Sequence, residues 1–216
     1  MNATFSLIVI CFLAFGASML ATSYGVSGDY ILREFAFSGS TAFEKPWTFV
    51  TSVFLHFDIS HLLSNMLVLL FFGSSVENEL GKGRMLAIFM LGALAGNIFS
   101  LFYYPPEVVS LGASAGVFAL IGTGMIVKPL DMSFYPFLVP IPLGIIGILY
   151  AVYNAIGFAA GGGTVSYVAH FGGLLVGLAF GFRQQGIRKG MTTLTISALA
   201  IVLFLMILPF LASLFS

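Results

Sequence analysis

Charge is what this sequence has least of. Only 7% of its 216 residues are Asp, Glu, Lys or Arg, where a soluble domain carries about 25%. So few charges cannot cover a water-facing globule, and a hydrophobic share of 59% points to an integral membrane protein of several spans. Eight basic and eight acidic residues cancel, which leaves no electrostatic case for a nucleic-acid partner. Cysteine is nearly missing. Cys11 stands alone in an apolar run, can form no intrachain disulfide, says nothing about redox compartment, and reads as a small buried hydrophobe. No Lys or Arg precedes the first apolar stretch, Phe5 to Thr22. That stretch lacks the basic segment of a secretory signal and reads as a first span. Long repeats, charge runs and low-complexity linkers are also missing, so a single transmembrane domain over 1–216 is expected.

What is abundant is long apolar runs. A helix needs about 20 apolar residues to cross the hydrocarbon core. Seven runs approach or reach this: Phe5–Ser23, Ile59–Val76, Met85–Tyr103, Ser114–Val127, Pro142–Ile156, Val168–Phe182 and Thr192–Phe215. The expected fold is an all-α polytopic helical bundle. The fourth and sixth runs are short and open on polar residues, so they are expected to begin below the surface, facing protein or a wet cavity. Loops after the second, fourth and sixth runs hold Lys82, Arg84, Lys128, Arg183, Arg188 and Lys189, and the other side holds only Arg33 and Lys45. Basic residues collect on the cytoplasmic side. The expected N-terminus is therefore cytoplasmic, in a multi-pass cell-membrane protein. The starts of the fourth and sixth runs then lie toward the outer face.

Small residues recur at four-residue spacing at Gly92/Gly96, Gly112/Gly116, Gly173/Gly177 and Gly177/Gly181, a pattern that lets helices approach closely in lipid. Gly161-Gly162-Gly163 reads as a flexible outer loop.

A few polar residues sit where burial penalises them. Ser114 opens the fourth run, and His170 lies in the sixth. Serine is a weak nucleophile until a base takes its proton, and His170 is the one histidine of the later runs. Together they suggest a nucleophile and its base acting on peptide bonds within a bilayer. Tight packing at Gly173 and Gly177 would bring His170 close to Ser114 if the sixth span packs on the fourth. His61 and Asn65 open the second run. Four residues apart, they fall about 40° apart around a helix and share a face, where both can donate to a developing oxyanion. His56, in the loop before that helix, reads as structural, with His56, His61, Ser64 and Asn65 available to line a water path to Ser114.

Gly112-Ala113-Ser114-Ala115-Gly116 formally matches the G-x-S-x-G elbow, but that elbow needs a strand before it and an α/β sheet around it. Metal catalysis has no support either: H-E-x-x-H is missing, and Glu77 and Glu79 lie at the other, cytoplasmic end of the second span, as expected end caps. The later outer regions offer no acid to orient His170, which suggests a Ser–His dyad rather than a triad.

Taken together, these stretches resemble the rhomboid family of intramembrane serine proteases. Trp47-Thr48-Phe49-Val50-Thr51 and Phe54-Leu55-His56-Phe57 resemble the approach to its second helix. His61-Leu62-Leu63-Ser64-Asn65 resembles its H-x-x-x-N, and Gly73-Ser74-Ser75-Val76-Glu77-Asn78-Glu79-Leu80-Gly81 its G-x-x-x-E-x-x-x-G. Gly112-Ala113-Ser114 resembles the nucleophile motif, and Ala169-His170-Phe171-Gly172-Gly173-Leu174-Leu175-Val176-Gly177 the A-H-x-x-G-x-x-x-G of the histidine helix. The resemblance implies Ser114 as nucleophile, His170 as general base, and His61, Asn65 and the Ser114 backbone N–H as the oxyanion hole. It implies Phe118 beneath the histidine ring, a first outer loop over Gly25–Phe54 lying partly in the membrane, and a gating role for the fifth helix. It also implies a six-helix core, 1–183, with one added C-terminal helix, 191–216. Ala115 stands where the family usually has Gly. The implied activity is endopeptidase cleavage of transmembrane segments near the outer face, with no cofactor and with membrane proteins and the bilayer as partners. An inactive relative that binds membrane clients is the alternative, though such relatives usually lack the serine or the histidine. A small transporter or channel would call for ionisable residues at mid-membrane on several spans.

Overall fold

The structure is a computed structural model that describes residues 2–132, 141–161 and 165–213, with side chains to residue 207. Helix α1 (Ala3–Ser23) starts at Asn2, whose side chain accepts the Phe5 N–H. A short helix, α2 (Gly28–Phe35), leads into a two-residue strand, β1 (Phe37–Ser38). A helical turn, α3 (Thr48–Thr51), and a 3-10 turn, Ser52–Phe54, then approach the second span. That span is a 22-residue rod, Ile59–Leu80. It is built from α4 (Ile59–Val68), a π-helical turn at Leu69–Gly73, and α5 (Ser74–Leu80). Asp58 caps α4 by accepting the His61 N–H, which satisfies one of the donors a helix start leaves open. Helix α6 (Lys82–Tyr103) follows, then β2 (Val109–Ser110), which pairs antiparallel with β1 through Phe37–Ser110 and Ser38–Val109. The remaining helices are α7 (Ser114–Val127), α8 (Leu143–Ala160), α9 (Tyr167–Gln185) and α10 (Ile187–Ser213).

All seven apolar runs are thus helical, and the protein is a helical membrane bundle. Among the described residues, five helices are long and apolar enough to cross a bilayer: α1, the α4–α5 rod, α6, α8 and α10. With 14 residues, α7 is too short. Every one of its residues after Ser114 is buried, so protein rather than lipid surrounds it. Leu214 and Phe215 of the seventh run, and Gly162 and Gly163 of the glycine loop, lie outside the described residues.

Small residues bind α7 between α6 and α9. A Cβ on Gly173 would overlap the Ala115 carbonyl, one on Gly177 the Ala119 carbonyl, and one on Gly122 would stand 2.8 Å from Leu174 O. On the other side, Gly92 faces the Ala119 methyl and Gly96 the Ala115 methyl. The extra methyl of Ala115 is therefore accommodated by the missing one of Gly96. Thr123 Oγ1 spans the seam, 3.0 Å from Gly177 O.

Glu77 departs from expectation. Its carboxylate accepts the Ala3 and Thr4 N–H groups at 2.8 Å and the Thr4 hydroxyl at 2.7 Å. It caps the start of α1, where free N–H groups and the helix dipole attract an anion, and not the end of its own rod. Glu79 pairs with Lys128 at 3.1 Å, tying α5 to the end of α7.

Candidate active site

Three facts about Gly112 put Ser114 at the head of α7. Gly112 has φ +116°, in the region that favours glycine. Its N–H donates to Ser52 O at 2.9 Å. The His61 ring occupies the space a side chain would need, with Cε1 2.8 Å from where a Cβ would stand. Asn97, buried on α6, donates to Phe49 O and Ser52 Oγ, so α6 holds the segment that in turn holds the glycine. The chain then enters α7 with Ser114 as its first residue, where N–H groups lack intrahelical acceptors.

The close α7–α9 seam brings His170 to this serine. Ser114 Oγ and His170 Nε2 are 2.8 Å apart. Phe118, one turn along α7, stacks on the imidazole with centroids 4.3 Å apart and planes 12° apart. On the far side of the ring, His170 Nδ1 lies 2.8 Å from Asn154 Oδ1. Asn154 is wholly buried, and its Nδ2 donates to Tyr167 O at 3.1 Å. An amide thus stands where the sequence offers no acid. The available signal was a carboxamide inside the apolar fifth run, where lipid offers polar groups no partner.

His61 and Asn65 face the same cavity of about 970 Å³, which Ser114, His170 and Ser64 also line. The Phe57 N–H points at His61 Nδ1 at 3.4 Å, which leaves Nε2 to carry the proton. One Asn65 N–H donates to His61 O at 2.9 Å, and the second hydrogen of that amide remains. Asp58, just outside the span, accepts from the Ser60 hydroxyl at 2.6 Å and the His61 N–H at 2.7 Å. These bonds hold its carboxyl below the usual range.

His56 corrects one expectation. It does not line the water path. It is buried behind His61, with its ring edge-on to that ring at 5.1 Å. Its Nδ1 faces Phe54 O, and its Nε2 finds no hydrogen-bond partner among the described residues. Burial, and then the neighbouring His61, push its pKa down to about 4, so the ring is neutral at physiological pH.

The rhomboid domain family model matches residues 44–186, a span that begins just before α3 and ends just after α9. The chain is similar to RHOMBOID-like protein 12, mitochondrial, of Arabidopsis thaliana, with 31% identity over 160 residues, 66% of this chain and 47% of that protein. It is similar to Rhomboid protein 1, mitochondrial, of Saccharomyces cerevisiae, with 34% identity over 142 residues, 62% of this chain and 40% of that protein. With Rhomboid-related protein 2 of Mus musculus it shares 28% identity over 146 residues, 64% of this chain and 48% of that protein. The match thus spans less than half the length of each of these relatives. Family model, relatives and helical bundle agree: this chain belongs to the rhomboid family, whose fold is that of intramembrane proteases.

Proposed function

We propose that this chain is an intramembrane serine endopeptidase that cleaves transmembrane segments of membrane proteins. The observation that carries the reading is the 2.8 Å approach of Ser114 Oγ to His170 Nε2 at the wall of a partly polar cavity inside an apolar bundle. In the reaction, Nε2 takes the hydroxyl proton as Oγ bonds to the scissile carbonyl carbon. General base assistance of this kind contributes about 10²–10⁴-fold. The oxygen that gains charge meets the Ser114 N–H, His61 Nε2–H and the free Asn65 N–H, each such donor being worth about 2.7–4 kcal/mol. The imidazolium then passes its proton to the departing amine, and water repeats the sequence on the acyl-enzyme.

The cavity lies at the end of the bundle where α7 and α9 begin and α8 ends, opposite Lys82, Arg84, Lys128, Arg183, Arg188 and Lys189. By the excess of basic residues on the cytoplasmic side, the N-terminus is cytoplasmic in a cell membrane and the cavity opens toward the outer face. The chain acts as one transmembrane domain, with α10 packed outside the core of 1–183. A substrate helix must unwind to present a peptide bond, so Gly, Pro and small residues near the cleaved bond favour turnover. No cofactor takes part.

A fluorophosphonate probe and a membrane-spanning reporter test this reading. Ser114 is labelled and the reporter cut, and Ser114→Ala and His170→Ala each lower cleavage at least 10³-fold, within the range that removing a nucleophile or its base costs. Cleavage retained in either variant sinks the couple. A folded wild-type protein that takes no label fits the inactive client-binding relatives instead.

A further inference from the structure

We propose that Asn154 is a positioning residue for the His170 imidazole, doing with a neutral amide what a carboxylate does in a serine–histidine–aspartate arrangement. The inference rests on the protease reading above and adds to it a third residue, on a third helix.

The two ends of the amide are chemically distinct. A backbone carbonyl can only accept a hydrogen bond. The group 3.1 Å from Tyr167 O must therefore be the amide nitrogen, whatever orientation is drawn. The oxygen is then the atom 2.8 Å from His170 Nδ1, and it too can only accept. Nδ1 must carry the proton, so in the neutral ring Nε2 is bare, facing Ser114 Oγ at 2.8 Å. This is the tautomer a general base needs. Asparagine ordinarily fails in such a role. In a serine-protease triad, Asp→Asn lowers kcat about 10⁴-fold because it selects the wrong tautomer. Here the Tyr167 carbonyl turns the amide the right way round.

Burial supports a specific role over general packing. Past Gly147, Asn154 is the one fully buried residue of α8, and most of its neighbours are exposed. This end of the helix gains nothing from a carboxamide in its one buried position unless both ends of that amide are used. Phe118 holds one face of the same ring. Stacking sets the plane of the imidazole, and Asn154 sets its rotation within that plane and the site of its proton.

The test compares Asn154→Leu with Asn154→Asp in the full-length protein. Its readouts are the rate of Ser114 labelling and the ¹⁵N NMR signals of the ring nitrogens. With three histidines in the chain, the His170 signals are assigned by their loss in His170→Gln. Asn154→Asp keeps an acceptor against Nδ1–H, so labelling stays within about tenfold of wild type, and Nδ1 stays protonated. Asn154→Leu removes the acceptor, so labelling slows roughly 10–100-fold, part of the base's contribution, and the Nδ1-protonated signal is lost or mixed. A packing role gives the reverse order, because a buried leucine is tolerated better than a buried carboxylate. Leu labelling as fast as Asp, or an unchanged His170 tautomer in Asn154→Leu, overturns the proposal. If the wild-type protein takes no label, the protease reading falls, and the tautomer comparison alone decides whether Asn154 holds the ring.

Discussion

The two seams that α7 makes with α9 and with α8 are built in opposite ways. Against α9, backbone meets backbone. Gly173 and Gly177 lie so close to the Ala115 and Ala119 carbonyls that no side chain fits. Against α8, contact runs through side chains: where a Cβ on Gly147 would stand, Met125 Cβ lies at 2.8 Å, its Sδ at 3.1 Å and Ile121 Cγ2 at 3.4 Å. Higher up, the one buried α8 residue is Asn154, which bonds to α9. Ser114 and His170 thus sit on the seam that cannot give, and the group that orients the histidine reaches it from α8, the more loosely buried helix. Elements with few buried contacts open at low free-energy cost, which suits α8 to the gating role that the family resemblance implies.

The largest expected effect comes from forcing the stiff seam apart. Gly173→Val places atoms inside the Ala115 carbonyl, and backbone cannot move aside as a side chain can. Labelling of Ser114 should fall at least 100-fold, with a marked drop in thermal stability. Labelling at the wild-type rate would show that the seam does not set the Ser114–His170 distance.

Acid tests the ground beneath His61. His56 is held neutral by burial, with a pKa of about 4 against an ordinary 6.5. The unfolded chain therefore binds this proton first. Stability is fully present above pH 6.5 and is lost progressively as pH falls toward 4, by as much as about 1.4 kcal/mol per unit. Thermal denaturation across that window should be flatter in His56→Phe than in the wild type, and parallel curves would refute the assignment.

A milder probe is Gly92→Ala, which sets a new methyl against that of Ala119. Overpacking of this kind costs about 1–3 kcal/mol. Since the clash is methyl on methyl, Ala119→Gly should recover most of the loss in a double-mutant cycle. Additive losses would mean that the two sites do not touch. Phe118→Leu removes the stacked ring, worth about 0.5–1.5 kcal/mol. It should slow labelling by up to about tenfold while the melting temperature moves by only a few degrees. The smallest effect belongs to the loose periphery. Leu199 of α10 is 61% exposed, so Leu199→Ala should shift stability within about ±0.5 kcal/mol. A larger change would give this exposed face of α10 a packing role.

Much of this architecture could be read before any coordinates. The helical runs stand out because backbone in lipid must satisfy its own hydrogen bonds. Ser114 and His170 stood out as the polar residues of two short runs, Phe118 came only with the family resemblance, and the glycines beside His170 pointed to the seam that joins them. Only the place of His56 on the water path was misread, because a loop histidine next to a polar cluster reads as wet. Its burial depends on how the approach segment folds under His61. Glu77 was misjudged because its charge was weighed against its own helix, when the start of α1 competes for it more strongly. Asn154 is not legible as a partner of His170, because a neutral amide in an apolar run carries no charge to mark it.

Composition placed this chain in a bilayer, the length of its apolar runs made it helical, and their order determined which polar residues begin near which face. Tertiary packing decided which of those residues meet. Asn154 and His170 lie on different helices, 16 positions apart, and Glu77 reaches Ala3 across 74. In lipid every helix hides its own backbone equally well, so hydropathy does not rank one helix pairing above another. Side-chain shape at the seams does, and it is expressed only once the helices have packed.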